Sequence, residues 1–326
     1  MRVVVIGGTG HVGTYLVPRL VAAGHDVVNV SRGERDPYLP HAAWEAVEHV
    51  SLDREAAEAD GEFGDRIAAL DPDAVVDMIC FEPESAERIV AALRGEVRMY
   101  LFCGTVWVHG HSTAVPTTED REREPFGEYG IKKAEIESRL LEAARAGGFP
   151  ATALHPGHIV GPGWEPLNPE GHFDPAVFER IAHGGTVRLP NRGLETVHHV
   201  HADDVAQAFQ AALENWGAAV GESFHVASPQ ALTLRGFARG MADWFGSDPD
   251  LEYVPWPEFE ERLPEERVES TYDHIEHSPN CSIAKARDLL GYEPRYSSLA
   301  GVQEAVEWLI EHDEVGVPDG VEVSAL

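Results

Sequence analysis

Lysine is almost absent from this chain: only three of its 25 basic side chains are Lys, in 326 residues. Basic charge of either kind is scarce, 25 Lys plus Arg against 56 Asp plus Glu, for a formal net charge of −31. So acidic a surface repels polyanions, which excludes nucleic acid and anionic membranes as partners through bulk electrostatics. Adaptation to high salt is one expected cause of such a surface, and an ordinary acidic surface is the other. Cysteine is scarce too. Cys80, Cys103 and Cys281 form an odd set without Cys-x-x-Cys spacing, and two lie in apolar segments. Reduced core thiols in a cytoplasmic protein are expected. No run approaches ~18 apolar residues, and no charged leader precedes a long apolar stretch. Neither a membrane span nor a signal peptide is expected.

Hydrophobic content of 43 % and charged content of 25 % are ordinary for a globular chain, long enough for one large core or two lobes. Short apolar runs at Val3–Ile6, Val27–Val30, Val75–Ile79, Met99–Cys103 and Ala151–Leu154 read as buried strands. Helical patterns lie between them at His11–Ala23, Arg54–Leu70, Pro83–Leu93 and Tyr129–Ala146, with Gly24 and Gly147-Gly148 as stops. Pro18 predicts a kink or a late start in the first of these helices. This alternation predicts an α/β fold with a doubly wound parallel sheet of the Rossmann type.

After Gly161-Pro162-Gly163 the texture changes. Helices are expected from Asp203-Asp204 through Glu214, over Thr233–Phe245 and over Gly301–Ile310, while 248–279 shows no clear periodicity. We read residues 1–160 as a dinucleotide-binding domain. Residues 161–326 read as a smaller α/β substrate lobe, with segments near 197–226 returning to the first domain.

Two lysines fall in Tyr129-Gly130-Ile131-Lys132-Lys133. With 8 Tyr and 3 Lys, random placement gives roughly 0.07 Tyr-x-x-x-Lys pairs in the chain. On a helix the two side chains share one face a turn apart. An ammonium beside a phenol favours the phenolate and suits proton transfer to or from an alcohol or carbonyl during hydride transfer. The bland alternative is an amphipathic helix with a surface Tyr and solvated Lys.

Gly7-Gly8-Thr9-Gly10-His11-Val12-Gly13 follows the first strand and opens the first helix. Its glycines allow a tight turn and close approach to a pyrophosphate, which a helix N-terminus attracts. Gly7, Thr9, Gly10, His11, Val12 and Gly13 are therefore cofactor-binding candidates, together with Ile79 at the end of its strand. The second strand ends in Ser31-Arg32-Gly33, where a carboxylate for ribose hydroxyls is common. Arg32 suits a 2′-phosphate, which favours NADP over NAD. Asp53 is placed to meet the adenine amino group, or to cap a helix, or both.

The Gly-rich turn, the strand Leu101-Phe102-Cys103-Gly104-Thr105 and Tyr129-x-x-x-Lys133 occur in one order. In this the chain resembles the extended short-chain dehydrogenases/reductases, the NAD-dependent epimerase/dehydratase family. Leu154-His155-Pro156-Gly157-His158-Ile159-Val160-Gly161-Pro162 is similar to that family's R-P-x-x-x-x-G-P segment. His201-Ala202-Asp203-Asp204-Val205-Ala206 is similar to its H-V-D-D-V-A, and 284–294 to its C-terminal K-A-x-x-x-L-G-x-x-P. The resemblance implies Tyr129 as catalytic acid/base, Lys133 as its partner and a ribose ligand, and a Thr105 hydroxyl on the reacting oxygen. It also implies Pro156 facing the nicotinamide, and a homodimer through the tyrosine helix.

Departures narrow this. The family's 4,6-dehydratases carry an acidic pair after that Thr, where this chain has Val106-Trp107, so sugar dehydration is disfavoured. His155 and His158 stand where relatives commonly have Arg and Asn. The run His198-His199-Val200-His201 splits its imidazoles between two strand faces without a carboxylate or Cys at ligand spacing, so no metal site is read there. The expectation is an NAD(P)-dependent epimerase or reductase of a nucleotide-sugar or similar hydroxyl/keto small molecule. The alternative is a dinucleotide-binding or sensing relative without chemistry.

Overall fold

The computed structural model describes residues 1–321. In the first half, strands β1 (Arg2–Ile6), β2 (Asp26–Ser31), β3 (Glu48–Ser51), β4 (Ala74–Asp77), β5 (Met99–Cys103) and β6 (Ala151–Pro156) alternate with helices. The helices are α1 (His11–Ala22), α2 (Arg54–Ala59), α3 (Phe63–Ala68), α4 (Pro83–Leu93) and α5 (Gly127–Arg145), with a 3₁₀ turn at Val106–His109. The second half contributes β7 (His158–Val160), α6 (Ala176–Ala182), β8 (Val187–Pro190), β9 (Thr196–Val197), β10 (His199–His201), α7 (Ala202–Glu214), α8 (Trp216–Ala219) and β11 (Ser223–Val226). It continues with β12 (Leu232–Thr233), α9 (Leu234–Phe245), β13 (Leu251–Val254), α10 (Trp256–Glu260), α11 (Glu265–His277), α12 (Ala284–Leu290) and α13 (Ser298–Glu311).

Seven strands form one sheet in the order β11-β6-β5-β4-β1-β2-β3, every pairing parallel. The order in which strands are added switches sides between β1 and β4, which opens a crevice at the carboxyl ends of those two strands. Successive side chains point to opposite faces, so each inner strand feeds two cores. Val3, Val5, Val76 and Leu101 pack with α1 and α7 on one face; Val4, Ile6, Val75 and Phe102 pack with α3, α4 and α5 on the other. A third core joins α6, α9 and α13 through Phe178, Phe237, Met241, Val302 and Val306.

Several sequence expectations need correction. The helix expected over 54–70 is two, because Gly61 turns left-handed at φ 74° between α2 and α3. Strand β3 was not expected: it is a sheet edge whose Glu48, His49 and Ser51 are exposed, so it carries no apolar run. The span 248–279 holds β13, α10 and α11, whose glutamates mask a narrow buried stripe of Thr271, His274, Ile275 and His277. Helix α1 starts at His11 and continues through Pro18, with no late start. Residues 223–226 pair with β6, adding the strand that ends the central sheet.

Candidate active site

The glycine turn is built for close approach. Gly7 sits at φ 85°, its N–H bonded to Val30 O at 2.8 Å, and Gly10 N–H returns to Gly7 O at 3.1 Å. A Cβ on Gly13 would collide with the Gly8 carbonyl, and one on Gly10 would lie 3.2 Å from Gly7 O. The first turn of α1 has no side-chain cap and no acidic residue, so its N–H groups and partial positive charge face the crevice unopposed. These features fit a pyrophosphate. Gly13→Ala is expected to weaken nucleotide binding at least about tenfold and to destabilise the fold by about 1–3 kcal/mol, read by calorimetric titration and urea unfolding.

Beside this turn lies a cavity of about 440 Å³. Gly7, Thr9, Gly10, Ser31, Arg32, Asp53 and Ile79 all line it. His11, Val12, Gly13, Lys133 and Pro156 do not. The His11 ring turns inward, stacked on Trp164 at 5.1 Å, so only its backbone belongs to the helix N-terminus. Arg32 reaches into solvent, 64 % exposed, with Glu34 at 3.3 Å. Asp53 caps α2, accepting from Ala56 N at 2.9 Å, and also lines the cavity. Arg54 forms the floor. It is buried, held by Asp77 at 2.8 Å and Glu58 at 2.7 Å, while the Tyr100 hydroxyl donates to Asp77 at 2.7 Å. Those partners raise the Arg54 pKa against its burial and leave Arg32 the freer cation for a ribose phosphate.

Thr105, Tyr129 and Lys133 come together where β5 ends and α5 begins. Thr105 is buried; its side chain accepts from Trp107 N at 3.2 Å and hydrogen-bonds the Tyr129 phenol. Lys133 is 1 % exposed and donates to Cys80 O at 2.9 Å and Cys103 O at 2.8 Å, tying α5 to the ends of β4 and β5. Its ammonium lies 5.7 Å from the Tyr129 ring centroid and 4.4 Å from that of Phe81. Burial lowers the Lys133 pKa. Tyr129 is 43 % exposed, and the partial desolvation of its hydroxyl pushes the phenol up, not down, with the Thr105 bond offsetting only part of it. The expected phenolate bias from Lys133 is therefore not present in this state, and Tyr129 is held as a neutral acid.

The substrate side of Tyr129 is aromatic. Trp107 packs edge-on to Tyr129 at 5.7 Å and to His274 at 5.1 Å, and stacks on His277 at 4.2 Å. His158 lies 5.4 Å from His274, with both ring nitrogens buried and unbonded among the described residues. Burial, reinforced by His274 and His199, pushes the His158 pKa well down, so it is neutral. Sequence reasoning flagged Trp107 and His158 but missed Phe81, His274 and His277. The i, i+3 spacing of the last two on α11 was the available signal.

His198, His199 and His201 do not converge. His198 bonds Ser228 O at 2.8 Å, His199 lies 3.2 Å from Leu167 O, and His201 meets Glu304 at 2.8 Å. A second cavity of about 700 Å³, lined by Glu119, Arg123, Glu137 and Lys285, contains none of the Thr105, Tyr129 and Lys133 group.

The sheet order agrees with the fold of known proteins. The chain is 30 % identical to 2'-dehydrokanamycin reductase of Streptomyces kanamyceticus, over 100 % of this chain and 90 % of that protein. It is 25 % identical to a chloroplast stem-loop binding protein of Arabidopsis thaliana, over 93 % of this chain and 78 % of that one. UDP-glucose 4-epimerase of Thermotoga maritima shares the fold, with a TM-score of 0.72 at 23 % identity over 96 % of this chain and 100 % of the other. The model of the NAD dependent epimerase/dehydratase family matches residues 3–227. The chain belongs to that family of extended short-chain dehydrogenases/reductases.

Proposed function

We propose that this protein is an NADP-preferring oxidoreductase that interconverts a ketone and a secondary alcohol on a sugar-like, polyhydroxylated small molecule. The observation that carries this reading is the convergence of Thr105, Tyr129 and Lys133 beside a glycine-cradled cavity. The nicotinamide nucleotide, when bound, supplies or accepts the hydride. The backbone of 7–13 would hold its pyrophosphate, Arg32 its 2′-phosphate, and Asp53 its adenine.

Tyr129, a neutral phenol at physiological pH, delivers its proton to the carbonyl oxygen in the reductive direction and takes it back in the oxidative one. Thr105 orients that oxygen through its hydroxyl. Lys133 fixes α5 against β4 and β5, and its charge supports the phenolate that forms only during turnover. Trp107, His158, His274 and His277 wall the substrate side with neutral aromatic rings, suited to stacking on a sugar ring and bonding its hydroxyls. No acid stands beside Thr105 to expel water, which supports a reaction without dehydration.

Net reduction is favoured over epimerisation by the open ribose end, where Arg32 and Glu34 are 64 % and 68 % exposed and a nucleotide can exchange. Arg32→Ala is expected to weaken NADPH binding about 10–100-fold while changing NADH binding less than about twofold, by fluorescence titration. Equal losses for both nucleotides count against the NADP assignment. The stem-loop binding relative raises a non-catalytic reading, which the net charge of −31 opposes for any polyanion. Turnover of a ketone panel with NADPH, lost in Tyr129→Phe, separates the two.

A further inference from the structure

A second cluster of buried histidines lies apart from the Tyr129 site. His109 closes the 3₁₀ turn after Thr105, His155 stands on β6, and His225 is its register partner on β11. Their exposures are 6 %, 0 % and 0 %. One ring nitrogen from each lies within 4.8 Å of the other two. Sequence spacing hides this group, because 46 and 70 residues separate its members, counted as 155 − 109 and 225 − 155.

Hydrogen-bond partners set the tautomers. His225 Nδ1 faces the Ser282 carbonyl at 3.1 Å, and a carbonyl only accepts, so Nδ1 carries the proton and Nε2 is bare. His109 Nε2 lies 2.7 Å from that bare nitrogen and must be its donor, which leaves His109 Nδ1 bare and without a partner among the described residues. His155 Nε2 sits 3.3 Å from Glu137 Oε2, yet neither of its ring nitrogens makes a well-directed hydrogen bond. Buried, unsatisfied imidazole nitrogens destabilise a fold unless something binds them.

We propose that His109, His155 and His225 hold a divalent first-row transition-metal ion of the zinc class, with Glu137 as the fourth ligand. Neutral imidazoles and one carboxylate form a borderline-soft set that suits zinc or cobalt and not calcium or magnesium. The ion takes the place of the proton between His109 Nε2 and His225 Nε2, and that proton moves to the bare His109 Nδ1, so both imidazoles stay neutral. Metal–nitrogen bonds of about 2.0–2.1 Å set tetrahedral nitrogens roughly 3.3 Å apart, so these two part by about 0.6 Å. The surroundings match what a ligating histidine needs behind it. His225 is oriented by the Ser282 carbonyl, and Glu137 is held by Arg123 at 2.7 Å. Glu119, which accepts from His225 N at 2.9 Å, brings a second negative charge near the cation. Glu119, Glu137 and Ser282 also line the 700 Å³ cavity, which provides an entry path. The ion joins the 3₁₀ turn that follows Thr105, the strand that leads to Pro156, and the strand at the sheet's end. Its role is to fix that edge of the molecule, independently of the hydride-transfer reading.

The test uses the full chain, stripped with a chelator and titrated with Co(II). One equivalent is expected to give the intense visible absorption of tetrahedral cobalt, to be displaced by Zn(II), and to raise Tm by roughly 4 °C at 100 times Kd. X-ray absorption of the unaltered protein's cobalt complex is expected to show three imidazoles, a readout that needs no variant to fold. His109→Ala and His155→Ala are expected to abolish the visible signal, and exposed His183→Gln to keep it. Octahedral cobalt, fewer than three imidazoles, or a tetrahedral signal that survives in His109→Ala overturns the proposal.

Discussion

Tyr129→Phe is expected to lower kcat for NADPH-dependent carbonyl reduction by about 10²–10⁴-fold, with nucleotide affinity changed less than about twofold. The substitution removes one hydroxyl. It leaves the Lys133 bonds to Cys80 O and Cys103 O, the glycine cradle and the cavity lining untouched. The loss therefore belongs to kcat, because what disappears is a proton donor that works only as charge develops on the substrate oxygen. The phenol's pKa lies above the ordinary tyrosine value, so it stays protonated in the free protein and the reductive direction is expected to be flat with pH through neutrality. Thr105→Val is expected to lower kcat less, since it removes orientation and not the proton. Steady-state rates of the three proteins on one ketone, with nucleotide titrations beside them, check these outcomes. Unchanged turnover in Tyr129→Phe removes Tyr129 from the reaction.

Acidification from pH 7 to pH 5 is expected to unfold the protein. His11, His198, His199, His274 and His277 are all buried, and desolvation pushes their pKa values down to about 3 for His11 and His199 and about 4 for the others. In the unfolded chain each titrates near 6.5. Below that value the unfolded state binds protons that the native state refuses until pH 3–4. The stability these groups confer is therefore complete above pH 6.5 and is lost as pH falls through that window. At pH 5.5 each costs about 1.4 kcal/mol, together roughly 7 kcal/mol, against a typical total of about 5–15 kcal/mol. Carboxylates titrate lower and enter only after most of the loss. An unfolding midpoint between about pH 5 and 6, by circular dichroism, is the expected result. A native spectrum at pH 4 contradicts the burial of these imidazoles as neutral groups.

Much of this molecule was legible before its structure. The inner strands are apolar on both faces, so they stand out as runs, and the glycine turn falls directly between one such run and a helix. What the pattern hides has a physical reason in each case. Strand β3 is an edge with one half-buried valine. Helix α11 buries a stripe of Thr271, His274, Ile275 and His277, too polar to register as a hydrophobic face. Arg54 reads as a surface helix residue until Asp77, 23 positions away, claims it. The Tyr129–Lys133 spacing was visible, but the sense of the phenol's shift was not. It depends on the desolvation the folded surroundings impose on the hydroxyl, which pushes the phenol up.

Calorimetric titration of the purified chain with NADPH tests the central claim most directly, because every role assigned to Thr105, Tyr129 and Lys133 requires that nucleotide beside them. One site per chain is predicted, filled by NADPH in preference to NADH, intact in Tyr129→Phe and weakened at least about tenfold in Gly13→Ala. Absence of binding by either nucleotide, or binding that Gly13→Ala leaves unchanged, would contradict it.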